Sequence, residues 1–203
     1  MERPSQELKK LYNADYFIKK VEGHKEYKKG MLHWKKVWAA NHLDFPGKVV
    51  LDMGAGRGDM TKYMTLYGAK RVIAIDYSLS ACNIISYNMH GLDYGLYCYS
   101  MDDIVLLTEE PKIELIYMID ILEHVGNDEI SGFLGKLPDI AIKEVEFFGM
   151  TPAEPQGDYK GMHCNYHTYE GLVTLFTKYF FNVQISVETF NKKHYTIKCK
   201  GLK

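Results

Sequence analysis

Several things this chain has little of narrow its class before any motif is read. It has four cysteines in 203 residues, and Cys82, Cys98, Cys164 and Cys199 form no C-x-x-C pair, so reduced thiols are expected. No apolar run reaches the roughly 20 residues of a membrane span, and nothing resembles a secretion signal. The expectation is a cytoplasmic protein. Neither sign of charge prevails, with 25 Lys and Arg against 26 Asp and Glu and a formal net charge of −1. The field that drives phosphate-backbone binding is therefore missing as a net term, and nucleic acid is not expected as a partner. Lysines do gather in the first forty residues, from Lys9 and Lys10 to Lys35 and Lys36, where a solvated helix face accounts for them. There is no repeat or low-complexity tract, and the length suits one domain, 1–203.

What is present is concentrated from Val49 onward. Residues 49–59 read VVLDMGAGRGD, an apolar run ending in an acid and then glycines at alternate positions. Gly54, Gly56 and Gly58 permit positive φ and remove the Cβ atoms that would hold a ligand away from the main chain. A nucleoside cofactor at a strand end is the first reading. The spacing G-x-G-x-G differs from the G-x-G-x-x-G of dinucleotide sites, and no G-K-[ST] follows to make a phosphate loop. Asp52 would repel a phosphate but suits a cation such as the amino group of a methionine, which favours S-adenosylmethionine. Residues 71–76, RVIAID, form a second strand-like run tipped by Asp76, placed roughly 20 residues on to accept both ribose hydroxyls. A third end, Cys98 to Asp102, offers Asp102 for the adenine amino group and Met101 for its ring. The fourth, ELIYMIDILEHV over 114–125, turns from strand to helix after Asp120.

Through LDMGAGRG, VIAIDYS, YSMDD and IDILEHV, the chain resembles the class I S-adenosylmethionine-dependent methyltransferases. It is nearest in motif to small-molecule O-methyltransferases of the ubiquinone-pathway type. The resemblance implies that Asp52, Gly54, Ala55 and Gly56 cradle the methionine part and that Asp76 and Tyr77 hold the ribose. It also implies that Met101 and Asp102 take the adenine, and that Ile119 or Asp120 lines the opposite wall. Glycines serving only a turn and acids serving only helix starts would leave the common order of these four ends unexplained.

Patterning along the chain predicts two helices, over 7–17 and 25–41, as an N-terminal cap on 1–45, with Trp34 and Trp38 as core. A Rossmann-like α/β core on 46–203 follows. Its strands are expected near 48–53, 72–75, 96–99, 113–118 and 144–150, with helices near 60–67, 80–90, 103–107, 127–136 and 168–176. Ser78 is a candidate N-cap. Strands at 182–187 and 195–199 around a turn at Asn191-Lys192 close the chain, the antiparallel edge that the family adds. This amounts to a doubly wound sheet of about seven strands with ligands at its strand ends. A loop over 151–161 is expected to lie over the site, and with the N-terminal helices to form a lid.

Methyl transfer to a hydroxyl needs alignment and a proton acceptor. Asp120, Glu123 and His124 stand at i, i+3 and i+4, one face of a helical turn, and His163 and His167 return later. Cys164 beside His163 reads as incidental, because methyl transfer needs no covalent intermediate. The block resembles the acid-x-x-Glu-His followed by histidine of the ubiquinone-pathway enzymes and of the enzymes that 2′-O-methylate small RNAs. That likeness implies a divalent ion (Mg, Mn or Zn) on Asp120, Glu123, His124 and His163, with Asp120 standing where those families have Glu. Without metal, Glu and His would stabilise the helix start or line the pocket, and His124 or His163 would be the base, with Asp120 beside them. Tyr16, Phe17 and Tyr166 are the acceptor-pocket candidates. The leading function is O-methylation of a small metabolite or sugar. N-methylation of a small amine or amino sugar, RNA ribose methylation and a non-catalytic partner role are the alternatives. No Asn- or Asp-Pro-Pro-aromatic signature supports nucleic-acid base methylation.

Overall fold

In the computed structural model, residues 10–154, 163 and 165–203 are described. They fall into two compact units that meet in sequence between Tyr99 and Ser100. Together the described residues form seven strands.

The unit ending at Tyr99 carries β1 (Val49–Met53), β2 (Arg71–Ile75) and β3 (Gly95–Tyr97), all parallel. Every β1 side chain is buried, as a strand covered on both faces requires. The glycine loop stays tied to the neighbouring strand, since Gly54 and Ala55 both donate their N–H to the Ile75 carbonyl, at 2.8 and 3.0 Å. Gly54, Gly56 and Gly58 have φ of +73°, +61° and +76°, so the alternate spacing reflects three left-handed residues in a single turn. Gly58 opens the helix Asp59–Leu66, and a Cβ added to it would stand 3.1 Å from Ile85 Cγ1. Gly58→Ala is expected to lower stability by about 1–3 kcal/mol from strain and overlap. Urea denaturation checks this, and a loss below about 0.5 kcal/mol would show that the loop relaxes freely. Ser78 caps the helix Leu79–Asn88, its hydroxyl oxygen accepting the Ala81 N–H at 3.4 Å.

The N-terminal helices are shorter than their pattern suggests. In place of two long helices there are a π-helical turn Tyr16–Lys20 and helices His24–Tyr27 and Trp34–Ala40. Residues 7–9 lie outside the described part. Gly23 and Gly30 adopt φ of +79° and +69°, which ends right-handed helix at each point. A Cβ at Gly23 would come within 2.7 Å of His33 Cβ. Trp34 and Trp38 are half-buried, not core.

The unit from Ser100 carries β4 (Ile113–Ile119) parallel to β5 (Ala141–Pro152), then the antiparallel pair β6 (Phe180–Thr189) and β7 (Lys193–Leu202). β5 takes in Thr151 and Pro152, so the expected loop begins later, and 155–161 lie outside the described residues. Helix Tyr169–Phe176 is capped by Thr168, whose hydroxyl oxygen accepts the Gly171 N–H at 3.0 Å. It buries Leu172, Leu175 and Phe176, the last against Phe147 and Phe180 with ring centroids 4.9 and 6.3 Å away. Where the third acid-tipped end was expected, β3 stops at Tyr97. Met101 and Asp102 instead open a 3₁₀ helix, Met101–Glu109, whose start Ser100 and Asp103 secure at 2.7 Å.

Candidate functional site

In the first unit, two acids stand at neighbouring strand ends. Asp52 is almost fully buried in β1, and its Oδ2 accepts the Thr61 hydroxyl at 2.6 Å. Asp76 directly follows β2, and its carboxylate spans two loops. Oδ2 accepts the Gly56 N–H and Oδ1 the Ser78 N–H, both at 2.9 Å. One carboxylate thus shapes both the glycine loop and the turn carrying Tyr77. Burial pushes each acid up to about 6, against the pull of Thr61 on Asp52 and of the Ser78 and Gly56 amides on Asp76.

Both folded pKa values lie above the unfolded 3.8, so protonation stabilises the fold below about pH 4 and that contribution is lost as pH rises through about 6. A ligand held by the ionised carboxylates works the other way. Affinity for S-adenosylmethionine, the ligand that the sequence resemblance implies for these acids, should therefore weaken about tenfold per pH unit per group on acidification below pH 6. Calorimetry from pH 5 to 8 checks this, and a flat profile contradicts it.

Gly54 and Gly56 are partly open, Ala55 is buried, and Tyr77 is half-buried with its ring edge-on to Tyr12 at 5.3 Å. Phe17 is buried and Tyr16 half-buried, ring centroids 5.2 Å apart. Phe17 lies along the glycine loop, its Cε1 3.8 Å from where a Gly56 Cβ would stand. Arg57, which sequence reasoning passed over as a loop residue, is only 3% exposed. Its one sequence signal was a long cation wedged between two glycines.

In the second unit, Met101 is buried and Asp102 exposed, the latter's carbonyl and carboxylate receiving Lys136 Nζ at 2.9 and 3.4 Å. Ile119 is half-buried at the tip of β4. Asp120, next in the chain, has φ +54°, the one positive value at a non-glycine among the described residues. Such strained backbone clusters at functional sites. It also corrects the expectation of one continuous helical face. The left-handed residue breaks the turn, a three-residue 3₁₀ helix Leu122–His124 follows, and Asp120 is not in the cluster that forms.

That cluster is Glu123, His124 and His163, whose ligand-type atoms all lie within 4.8 Å of one another. Glu123 is buried, its Oε2 accepting the Thr151 hydroxyl at 3.1 Å. The rings of His124 and His163 meet edge to face at 4.8 Å. The chain after His163 is held in place, Asn165 donating its backbone N–H to the Glu123 carbonyl at 3.1 Å and its amide to the Val125 carbonyl at 3.0 Å. His167 Nε2 lies 3.0 Å from the Leu122 carbonyl, and burial holds its pKa below the usual range against that carbonyl's pull. His167 is thus committed at Nε2. Tyr166 is exposed. Cys164 lies outside the described residues.

Residues 50–140 match the family described as a methyltransferase domain. No curated protein sequence matches the chain. Among solved structures, the chain is similar to magnesium protoporphyrin IX methyltransferase from Synechocystis with bound S-adenosylhomocysteine. That likeness has 14% identity, 96% of this chain and 99% of that one covered, and a TM-score of 0.65. It is also similar to the N-methyltransferase NodS from Bradyrhizobium japonicum in complex with S-adenosylhomocysteine, at 10% identity, 97% coverage of each chain and a TM-score of 0.67. A third is a SAM-dependent methyltransferase from Aquifex aeolicus, at 15% identity, 98% and 99% coverage and a TM-score of 0.63. At these identities the likenesses speak for the fold.

Proposed function

We propose that this chain, of which residues 50–140 match a methyltransferase domain, is a class I S-adenosylmethionine-dependent methyltransferase that passes the methyl group to a hydroxyl of a small metabolite or sugar, with an imidazole of the His124–His163 pair taking the proton. The observation that carries this reading is the gathering of two histidines and a buried carboxylate just past β4. A neutral hydroxyl must lose its proton as the carbon–oxygen bond forms, and a positioned imidazole accepts it near neutral pH. The charge balance supports a small acceptor over a nucleic acid. So does a similar fold named for magnesium protoporphyrin IX.

In this reading Asp52 and the loop Gly54–Gly56 hold the methionine part of the donor, Asp76 and Tyr77 its ribose, and Met101 and Asp102 its adenine, with Ile119 lining the opposite wall. The sulfonium methyl leaves by in-line displacement, the acceptor oxygen gaining it as sulfur takes back the bonding pair. Glu123, His124 and His163 offer one oxygen and two nitrogens close together, a donor set that fits a divalent ion such as Zn or Mn, which when bound would lower the pKa of a nearby hydroxyl.

The test is S-adenosylhomocysteine release with alcohols, phenols, sugars, amines and short RNA as acceptors, with and without chelator and with Mg, Mn or Zn restored. Turnover of hydroxyl compounds is expected. Turnover of amines alone would move the reading to N-methylation, the activity in the name of one similar fold. Salt-sensitive turnover of RNA alone would move it to ribose methylation.

A further inference from the structure

The N-terminal segment is fastened to the donor loops at two separate points, and Arg57 makes the first of them. Its guanidinium donates through Nη1 to the Phe17 carbonyl at 3.2 Å and through Nη2 to Asp59 Oδ2 at 2.8 Å. It also lies over the Tyr27 ring, 4.6 Å from the centroid. Asp59 Oδ2 takes Lys36 Nζ as well, at 2.7 Å. The Arg57 carbonyl accepts the Asn88 amide at 3.0 Å, and Asn88 Oδ1 accepts the Tyr27 hydroxyl at 3.0 Å. The second fastening is Ser78, whose hydroxyl donates to the Tyr12 carbonyl at 2.5 Å. Two backbone carbonyls of the segment are thus satisfied by side chains of the two loops, one following β1 and the other following β2. Below these bonds Phe17 lies on Gly56 and Tyr12 on Tyr77.

A buried guanidinium is strongly committed, because it cannot shed its charge and leaves several donors unpaired when a partner withdraws. If the segment lifts, Arg57 loses Phe17, Gly56 loses its cover and Tyr77 loses its edge contact together. We propose that Arg57 is a positioning residue that clamps residues 12–17 over the donor loops and so sets how long S-adenosylmethionine stays bound. This rests on the assignment of Gly54–Gly56 and Asp76–Tyr77 to the donor. Entry and release then require the clamp to open, and the bound donor shares the closed state with it.

The experiment measures donor binding and release by stopped-flow and calorimetry on the full chain. Arg57→Ala is expected to weaken donor affinity about 10- to 100-fold, the range for one charge-assisted hydrogen bond. The change should lie in a faster release rate, with the acceptor KM within about threefold and faster hydrogen exchange over residues 12–21. Arg57→Lys should fall between, because an ammonium cannot span both acceptors as the planar fork does. An Arg57→Ala protein that folds and releases donor at the wild-type rate overturns the proposal. So does a loss in which the acceptor KM and the urea midpoint move in step with donor affinity. If Arg57→Ala does not fold, Phe17→Ala, which uncovers Gly56, must speed donor release at least fivefold, or the proposal fails. A wild-type protein that does not bind the donor would strike at the functional assignment instead.

Discussion

Asp76→Ala is expected to weaken S-adenosylmethionine binding by about 10²–10⁴-fold. A carboxylate accepting both ribose hydroxyls makes two charge-assisted hydrogen bonds, each contributing about 1.5–3 kcal/mol, and every 1.4 kcal/mol is about tenfold in affinity. The same side chain accepts the Gly56 and Ser78 N–H groups, so its removal also loosens both loops around the ligand. Asp76→Asn keeps one carbonyl oxygen but turns an NH₂ toward an N–H, and should fall between wild type and alanine. Calorimetry at pH 7.5 is the measurement. Binding of the alanine variant within threefold of wild type would remove Asp76 from the donor site.

The second large effect concerns the proton. His124→Ala and His163→Ala should each lower kcat by about 10²–10⁴-fold, the usual contribution of a positioned general base. Donor affinity should stay within about twofold, because the proposed donor site rests on Asp52, Asp76 and the glycine loop. The split between kcat and donor binding decides the matter, since a variant that merely unfolds loses both. If the two single variants and the double variant lose similar amounts, the imidazoles act as one unit. If both keep wild-type kcat on the best hydroxyl acceptor, the base lies elsewhere.

Arg57 shows where local reading stops. In sequence it is the residue between two glycines of a turn, and only the packed chain reveals that it bonds to a carbonyl forty residues away. Asp120 shows the same limit in reverse. Its spacing to Glu123 and His124 reads as a helical face, but helical spacing holds only while φ stays right-handed, and at Asp120 φ is +54°. Ser78 was legible because an N-cap is a bond between residues three apart, and the strands because a buried strand must be continuously apolar. The helix expected over 25–41 is interrupted at Gly30, whose φ is +69°, a conformation that a glycine permits but does not require.

The order of strands and helices, the glycine turn and the acids at the ends of β1 and β2 were determined by the sequence itself. These features depend on φ preference, apolar run length and neighbours a few residues away. Tertiary structure alone decided that His163 meets His124, that Arg57 holds Phe17, and that Asp52 and Asp76 sit where burial raises their pKa to about 6. Burial, and contact between residues far apart in the chain, exist only once the whole molecule has closed around them.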